Sequence, residues 1–460
     1  MARMTVSKIL ASPDGALTPE ALERFQRAFE SEPRYVASMN AACAAPPGKL
    51  VLNRRRLVQF NNSYSIHLPE NKATSQKASG RCWLFAGLNT LRRAAIKNLN
   101  VGEDFEISQS HLAFWDKFEK ANYFLESMLL TLDEPTDGRL VSFLMQNPVQ
   151  DGGQWDMFVN LVRKYGCVPK SVQPETEGSS STGAVTTLVT RKLREFAAEL
   201  RRMHSQGADL EALRRRKQAM LEEVYRILVI HYGEPTRRFW WQWRDKDKGF
   251  HRDGWMTPLE FFRRYVQADL DEQVCLIHCP QESKEMHRLY TVRFLGNVVG
   301  GDIIRYINVP IEVLKNAAVA QLKDGCAVWF GCDVGKNFDG EVGWMDLEIH
   351  DFQSFYGTTV RMTKAERLDY GDTAMNHAMV FTGVDLDDEG RPRQWRVENS
   401  WGDERADKGY YAMSDPWFDE HMFEVVVAKK HLPADVLAVL DQEPIELEPW
   451  DPMGSLAVAD

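Results

Sequence analysis

Cys82 stands where the small-residue loop of QKASGRCWLFAGLN (76–89) gives way to a run spaced like a helix. Ser79 and Gly80 suit a loop and N-cap, and Trp83, Leu84, Leu88, Leu91 and Ile96 then recur near the 3.6 period. A cysteine in a first helical turn meets unpaired backbone N–H groups and the positive end of the helix dipole, both of which favour thiolate over thiol. Position alone leaves two readings open, nucleophile or structural thiol, because free cysteine is among the most often buried residue types. A nucleophile needs a base. HAMVFTGV (377–384) alternates as a half-buried strand, DLDDEGRPR (385–393) has turn chemistry, and QWRVENSW (394–401) reads as a second strand. Folded as an antiparallel hairpin about residue 388, these segments put His377 and Asn399 at equal distances from the turn, since 388 − 377 and 399 − 388 are both 11. An amide oxygen beside the imidazole would accept its ring N–H, fix the tautomer and turn the other nitrogen toward a nucleophile. Trp401 shares Asn399's strand face and would shield that hydrogen bond from water. A lone histidine at a strand start is ordinarily a satisfied core or surface residue. Its pairing with NSWG, together with a helix-start cysteine, favours covalent catalysis by the thiol.

The elements that must hold these residues are mixed. INVPIEVL, CAVWFGCDV, HAMVFTGV, QWRVENSW and FEVVVAKKH are β-rich stretches within 290–430, set among helical patterns that also occupy 105–170. Residues 187–233 differ: two long amphipathic runs broken at SQGAD predict a helical hairpin inserted into the fold. Its apolar positions, among them Leu193, Phe196, Leu200, Leu213, Leu221, Tyr225 and Leu228, exceed what a solvated appendage needs, so part of it is expected to be buried against the core or another subunit. The last twenty residues are rich in proline and acid and read as an extended tail.

Composition narrows the function classes. At 460 residues the chain can bury a large core, and its 44% hydrophobic and 27% charged residues are ordinary for a globular protein. A net charge of −10 gives no general attraction to nucleic acid or to anionic membranes. No run approaches eighteen apolar residues, and the N-terminus lacks the apolar core of a signal peptide, beginning instead a polar helix near Thr18. Seven cysteines, an odd number scattered along the chain, suit a reducing cytosol better than a disulfide framework. Cys275, His278 and Cys279 have a metal-like look, but CLIHC is short and lies in an apolar run with no second cluster nearby, so core packing is expected there. The basic run Arg214–Lys217 is flanked by Glu211, Glu222 and Glu223, the pattern of a solvated helix face or subunit contact. FWWQWRDKDKGF (239–250) similarly suits core or interface better than a base-stacking platform.

QKASGRCWLFA, MNHAMVFTGV and WRVENSWG, in that order, resemble the active-site segments of papain-like cysteine peptidases. More narrowly, SGRCWLFAGLN, DGGQWDMFVNLV, WRDKDKGFH, MTKAERL and PWDPMGSLA resemble the bleomycin hydrolase and aminopeptidase C family, with matches running from about residue 50 to 457. The resemblance implies an α+β fold: a papain-like core, with a helical lobe and a β-barrel-like lobe, carrying helical and hook-like insertions. It divides the chain into an N-terminal helical segment (1–50), a helical lobe with the nucleophile (51–180), an inserted helical and hook region for oligomerisation (181–270), a β lobe with the histidine and asparagine (271–435) and a C-terminal arm (436–460). It further implies a cytoplasmic homohexamer with its active sites inside, acting as an aminopeptidase on peptides without metal or other cofactor.

Carried over by residue, the resemblance makes Cys82 the nucleophile, His377 the general base and then acid, Asn399 the orienting amide, and Gln76 an oxyanion donor together with the backbone N–H of Cys82. Gly152 and Gly153 would line the path of the substrate backbone, where the lack of side chains permits close approach. The arm would fill the cleft and present its terminal carboxylate to the substrate's ammonium, with Ala457 at the family's usual end. Val458, Ala459 and Asp460 extend beyond that end, so the arm is either longer or trimmed. An endopeptidase would share every catalytic residue. A binding or chaperone-like hexamer would owe nothing to the thiol, and the net charge argues against one for nucleic acid.

Overall fold

The computed structural model describes residues 6–10 and 15–456. The chain divides into two compact units. One is drawn from Met1–Phe60 and Glu348–Arg361, the other from Asn61–Leu347 and Met362–Asp460. Within the first, Thr18 caps the helix Pro19–Glu30 by accepting a hydrogen bond from the Ala21 N–H, which places the polar helix where the sequence expects it. In the same unit Asn53 N–H donates to the carbonyl of Ile349 at 2.8 Å.

The second unit is mixed α+β. Its helices include α1 (Cys82–Leu99), α2 (Gln109–Leu130), α3 (Trp155–Tyr165), α4 (Gly183–Ser205) and α5 (Leu210–Tyr232). Its strands run β1 (Ile66–His67), β2 (Phe239–Arg244), β3 (Phe250–Met256), β4 (Gln273–Ile277), β5 (Arg288–Val292), β6 (Tyr306–Asn308), β7 (Val328–Cys332), β8 (Phe338–Asp339), β9 (Trp344–Met345), β10 (His377–Leu386), β11 (Pro392–Glu398), β12 (Tyr410–Ser414), β13 (Met422–Ala428) and β14 (Ile445–Leu447). Twelve of them form one mixed sheet in the order β14-β5-β6-β4-β13-β7-β10-β11-β12-β9-β8, with β1 added alongside β10. INVPIEVL splits: IN ends β6, and after Pro310 the chain turns into the helix Ile311–Lys323, as proline's missing N–H and fixed φ allow at a helix start.

Helix α1 is more buried than one amphipathic stripe requires. Every residue from Cys82 to Asn89 is buried, and only from Thr90 onward does a half-exposed face appear, the pattern of a helix enclosed on all sides at one end. Gly87 permits this, since a Cβ there would stand 2.8 Å from the Phe158 ring of α3. Further along, Arg92 pairs with Glu398 at 2.5 Å and Arg93 reaches the same carboxylate at 3.4 Å. Glu398 is the last residue of β11, so this buried pair ties the helix that starts with Cys82 to the strand that delivers Asn399.

The predicted helical hairpin is present as α4 and α5. Leu193, Phe196, Leu200, Leu213, Leu221 and Leu228 are buried within this chain, where both helices pack against α2. Core contact therefore accounts for the apolar surplus. The basic run is neutralised locally: Arg214 and Lys217 pair with Glu126, Arg215 with Glu211 and Arg216 with Glu199. The aromatic run forms the separate two-stranded sheet β2–β3, with Trp241 buried and Trp240 and Trp255 exposed. Cys275 and Cys279 are buried, and His278 Nδ1 lies 3.0 Å from the Val309 carbonyl.

Candidate active site

Helix α1 begins at Cys82 itself, with Arg81 at the N-cap and no side-chain cap. The cap expected at Ser79 or Gly80 is thus displaced, because those residues serve the loop instead. Ser79 Oγ donates to the Gln76 carbonyl and accepts from Arg81 Nε, whose guanidinium is held by Glu175. Asp151 accepts from the Gly80 N–H at 2.9 Å and pairs with Lys117 at 2.5 Å, while Lys120 pairs with Asp116 at 2.6 Å. Burial opposes ionisation of Asp151, yet Lys117 and these hydrogen bonds hold its carboxyl below the usual carboxylate range. This buried charge network beneath the cysteine loop is the main feature that sequence reasoning missed. Its one visible signal is the acidic residue opening DGGQW.

The thiol itself is buried, at 1% exposure. Burial pushes it up to about 11, against the pull of backbone groups of Ala378, Trp83 and Cys82. The helix-start location alone thus does not deliver the low thiol pKa expected from sequence; desolvation outweighs the helix terminus. A thiolate here depends on a proton acceptor beside it. His377 lines the same cavities as Cys82.

His377 opens β10, and Asn399 follows directly on β11. The hairpin forms, but its register is two residues from the symmetric one. Val380 faces Glu398 and Val384 faces Trp395, with irregularities between Phe381 and Gly383 and between Asp385 and Leu386. Continuing the Val380–Glu398 pairing sets position 377 against 401 instead of 399. Because the shift is even, Asn399 keeps the same face, diagonal to His377 and within side-chain reach. Asn399 Oδ1 lies 2.9 Å from His377 Nε2 and also accepts the Ser400 N–H at 2.7 Å. The Trp401 ring takes the cross-strand place, its centroid 5.1 Å from the imidazole and tilted by 35°.

Gln76 is held on three sides. Its N–H donates to the Ser400 carbonyl at 2.8 Å, its Oε1 accepts from Ser400 Oγ at 2.6 Å, and its Nε2 donates to the Ser79 carbonyl. An amide has two N–H donors, so the second is left for the cavity that Gln76 lines with Cys82. Ser400, inside the NSWG segment, thus fixes the orientation of Gln76, a positioning role its sequence context did not disclose.

Two cavities meet at Cys82 and His377. One, of about 750 Å³, is lined by residues 75–80, by Val334 and Gly335, and by Trp401, Glu404 and Arg405. The other holds only about 10 Å³ and is lined by Trp83, Gly153, Gln154, Trp329, Met375, Ser455 and Leu456. Gly153 thus lies beside the cysteine, and a Cβ on it would stand 2.6 Å from the Trp83 indole, so internal packing by itself requires glycine there. Gly152 is buried, its carbonyl accepting from Lys120 Nζ at 2.6 Å. The C-terminal segment reaches this second cavity through a series of anchors. β14 pairs with β5, Arg139 covers the Trp450 ring at 3.9 Å, Asp451 pairs with Lys284 at 2.8 Å, Met453 is buried, and the Ser455 carbonyl accepts from Gln154 Nε2 at 3.0 Å. Ala457 and Asp460 lie outside the described residues.

A buried cysteine at a helix start, sharing its cleft with an asparagine-held imidazole and a restrained glutamine amide, is the constellation of a cysteine-type peptidase. A family model described as Peptidase C1-like family matches residues 16–454. The chain is 45% identical over 450 residues to bleomycin hydrolase of Gallus gallus, covering 96% of this chain and 99% of that one. It is 43% identical over 442 residues to aminopeptidase C of Listeria monocytogenes, with 96% and 99% covered. The crystal structure of pepw from Lactobacillus rhamnosis superposes with a TM-score of 0.94 at 44% identity, covering 96% of this chain and all of that one. The chain belongs to the peptidase C1-like family, and as an enzyme it is a cysteine-type aminopeptidase. Among the described residues no helix is long and apolar enough to cross a membrane.

Proposed function

We propose that the chain removes N-terminal residues from peptides, and hydrolyses related amides such as bleomycin, through a covalent thioester on Cys82. His377 takes the thiol proton as Cys82 attacks the carbonyl, then gives it to the departing amine and activates water for deacylation. Asn399 is a positioning residue: its oxygen accepts the imidazole N–H and aims the other ring nitrogen at sulfur. The free N–H of Gln76 and the backbone N–H of Cys82 donate to the oxyanion. These roles rest on the packing described above and on the family's common chemistry. The desolvated thiol gives the base its purpose, since a group pushed up to about 11 supplies little thiolate without one.

The observation that carries the aminopeptidase reading is the asymmetry of the cleft. Ser455 and Leu456 close one side of Cys82, and the other side stays open. A substrate with its leaving group in the open side has little room beyond the scissile residue on the closed side. The terminal carboxylate, a few residues past Leu456, would pair with the substrate's ammonium, a charge-assisted contact. Lobes of the papain type, one helical around Cys82 and one β-rich around His377 and Asn399, with the insertion at 181–270 and the arm at 436–460, fit this arrangement. A cytoplasmic homohexamer acting on peptides, with no role for membrane or nucleic acid, completes the proposal.

A panel of fluorogenic aminoacyl amides, each free and N-acetylated, tests it. Wild type is expected to turn over only the free forms, and a chain lacking 448–460 is expected to accept both and to cut internally. If the shortened enzyme still demands a free amino terminus, specificity lies elsewhere in the cleft.

A further inference from the structure

The segment that carries Ser455 and Leu456 to Cys82 is fixed along its length by contacts of very different strength. Glu448 meets Arg293 at 3.4 Å, but the two side chains are 52% and 39% exposed, so water and salt weaken that pair. Arg139 lies over the Trp450 ring, and Gln154 gives one neutral hydrogen bond to the Ser455 carbonyl. Asp451 differs. Its Oδ2 pairs with Lys284 Nζ at 2.8 Å, and these side chains are only 14% and 3% exposed. Among the described residues this is the one buried ion pair that joins 448–456 to the rest of the chain.

Lys284 is held in place by groups outside the arm. It lies in the loop between β4 and β5, where the fully buried Asn308 donates to the carbonyls of Cys279 and Lys284 at 3.1 and 3.3 Å and accepts the Cys279 N–H at 2.9 Å. The Lys284 ammonium donates to Gln281 Oε1 at 2.6 Å, and Gln281 Nε2 donates to Asp369 at 2.5 Å. Among the described residues only Asp451 offers this cation a carboxylate within ion-pair distance. Separating the two leaves a buried charge without its partner, which costs far more than losing an exposed pair. The same carboxylate also turns the chain. Its Oδ1 accepts the Met453 N–H at 2.9 Å and caps the short helical turn Pro452–Gly454, after which Ser455 and Leu456 line the cavity at Cys82. We infer, on the proposed reading of the arm as the block to longer substrates, that Lys284 is a specificity-determining residue. It latches Asp451 and so keeps one side of the cleft closed, a positioning residue that acts through the arm.

Full-length Lys284→Met, Asp451→Asn and the double variant test the latch by two readouts. One is hydrogen exchange of the Gly454 and Ser455 amides, which donate to the Asp451 and Pro452 carbonyls. The other is kcat/KM on free and N-acetylated aminoacyl amides. Exchange at these amides is expected to rise at least about tenfold in each single variant, with β10 and β11 unchanged, and the ratio of N-acetylated to free turnover is expected to rise with it. Because the two residues act as one pair, the double variant is expected to be no looser than Lys284→Met alone. Arg293→Ala, which breaks the exposed pair, is the control and is expected to move both readouts less than either single variant. Exchange that stays at the wild-type rate in both single variants, or loosening that adds in the double variant, overturns the latch. Faster exchange with no gain on N-acetylated amides keeps the latch and instead overturns the arm as the source of specificity, so the two failures are told apart. If Lys284→Met does not fold, Asp451→Asn, which leaves the buried cation its Gln281 acceptor, decides by the same comparison with Arg293→Ala.

Discussion

The two sides of Cys82 are built from different materials. The open side is made of loops: residues 75–80 before the cysteine, the turn at 334–335, and 401–405 after the asparagine strand. The closed side is made of packed aromatic rings, Trp83 and Trp329, with a glycine set against one of them and Ser455 and Leu456 laid across. Cys82 and His377 lie at the junction and line both cavities, the roomy one and the nearly filled one. On the proposed reading, the reaction and its selectivity therefore have separate structural origins. Cys82, His377, Asn399 and Gln76 are positioned by the core, and on the proposed reading the limit on substrate length comes from the C-terminal segment, which adds no catalytic group.

Removing the junction erases the distinction altogether. Cys82→Ala is expected to lower kcat by about 10⁶-fold on any substrate, as loss of a covalent nucleophile does, with an unchanged circular dichroism spectrum. Turnover persisting in that variant would place the nucleophile elsewhere.

The frame that joins the two sides comes next. Glu398 is fully buried between Arg92 and Arg93 and binds the cysteine helix to the asparagine strand. Glu398→Gln leaves one buried guanidinium, that of Arg92, and one half-buried one, that of Arg93, short of their counter-charge and is expected to cost about 3–5 kcal/mol. Denaturant titration measures this, and a loss below 1 kcal/mol would show that the two elements are held by apolar packing alone.

A smaller effect is confined to the oxyanion. Gln76→Ala is expected to reduce kcat by about 10²–10³-fold with little change in KM. Ser400→Ala frees the amide that Ser400 holds and is expected to give a milder fall of the same kind, read by steady-state kinetics. A KM effect instead would move Gln76 from the transition state to ground-state binding.

The smallest expected change bears on the closed side. Gln154→Leu removes one hydrogen bond to the Ser455 carbonyl, worth about 1 kcal/mol, so the arm should loosen by about fivefold. Activity on N-acetylated amides is expected to appear at a low level, far below that of the 448–460 deletion. Intact-mass comparison of wild type with Cys82→Ala reports separately on the tail: loss of residues after Ala457 in the active form alone identifies self-trimming.

Much of the site was legible because its signals are local. Cysteine at a loop-to-helix junction, histidine at one strand start and asparagine at the end of the next, and the turn between them are all properties of short stretches. The symmetric register was two residues out because the turn centres on 389, as Leu386 facing Pro392 shows, instead of on 388, while the two irregularities cancel each other. Parity survived the error, and parity is what decides which face a side chain takes. Other features had no local signal. Arg81 became the cap because Ser79 was committed to the loop, and the thiol rose to about 11 because of burial on every side of α1.

By itself, then, the sequence determined the residue types of the candidate site, their order, the hairpin that brings Asn399 to His377, and the mixed α+β character. Those follow from periodicity and turn chemistry over a few tens of residues. Only the tertiary structure decided that Asp151 and Lys117 would brace the cysteine loop, that Ser400 would hold Gln76, that Gly153 answers to Trp83, and that the last segment would close one side of the cleft. Each of these joins residues from distant parts of the chain, some 34 positions apart for Asp151 and Lys117 and about 300 for Gln154 and Ser455, and such contacts are chosen by packing the whole core.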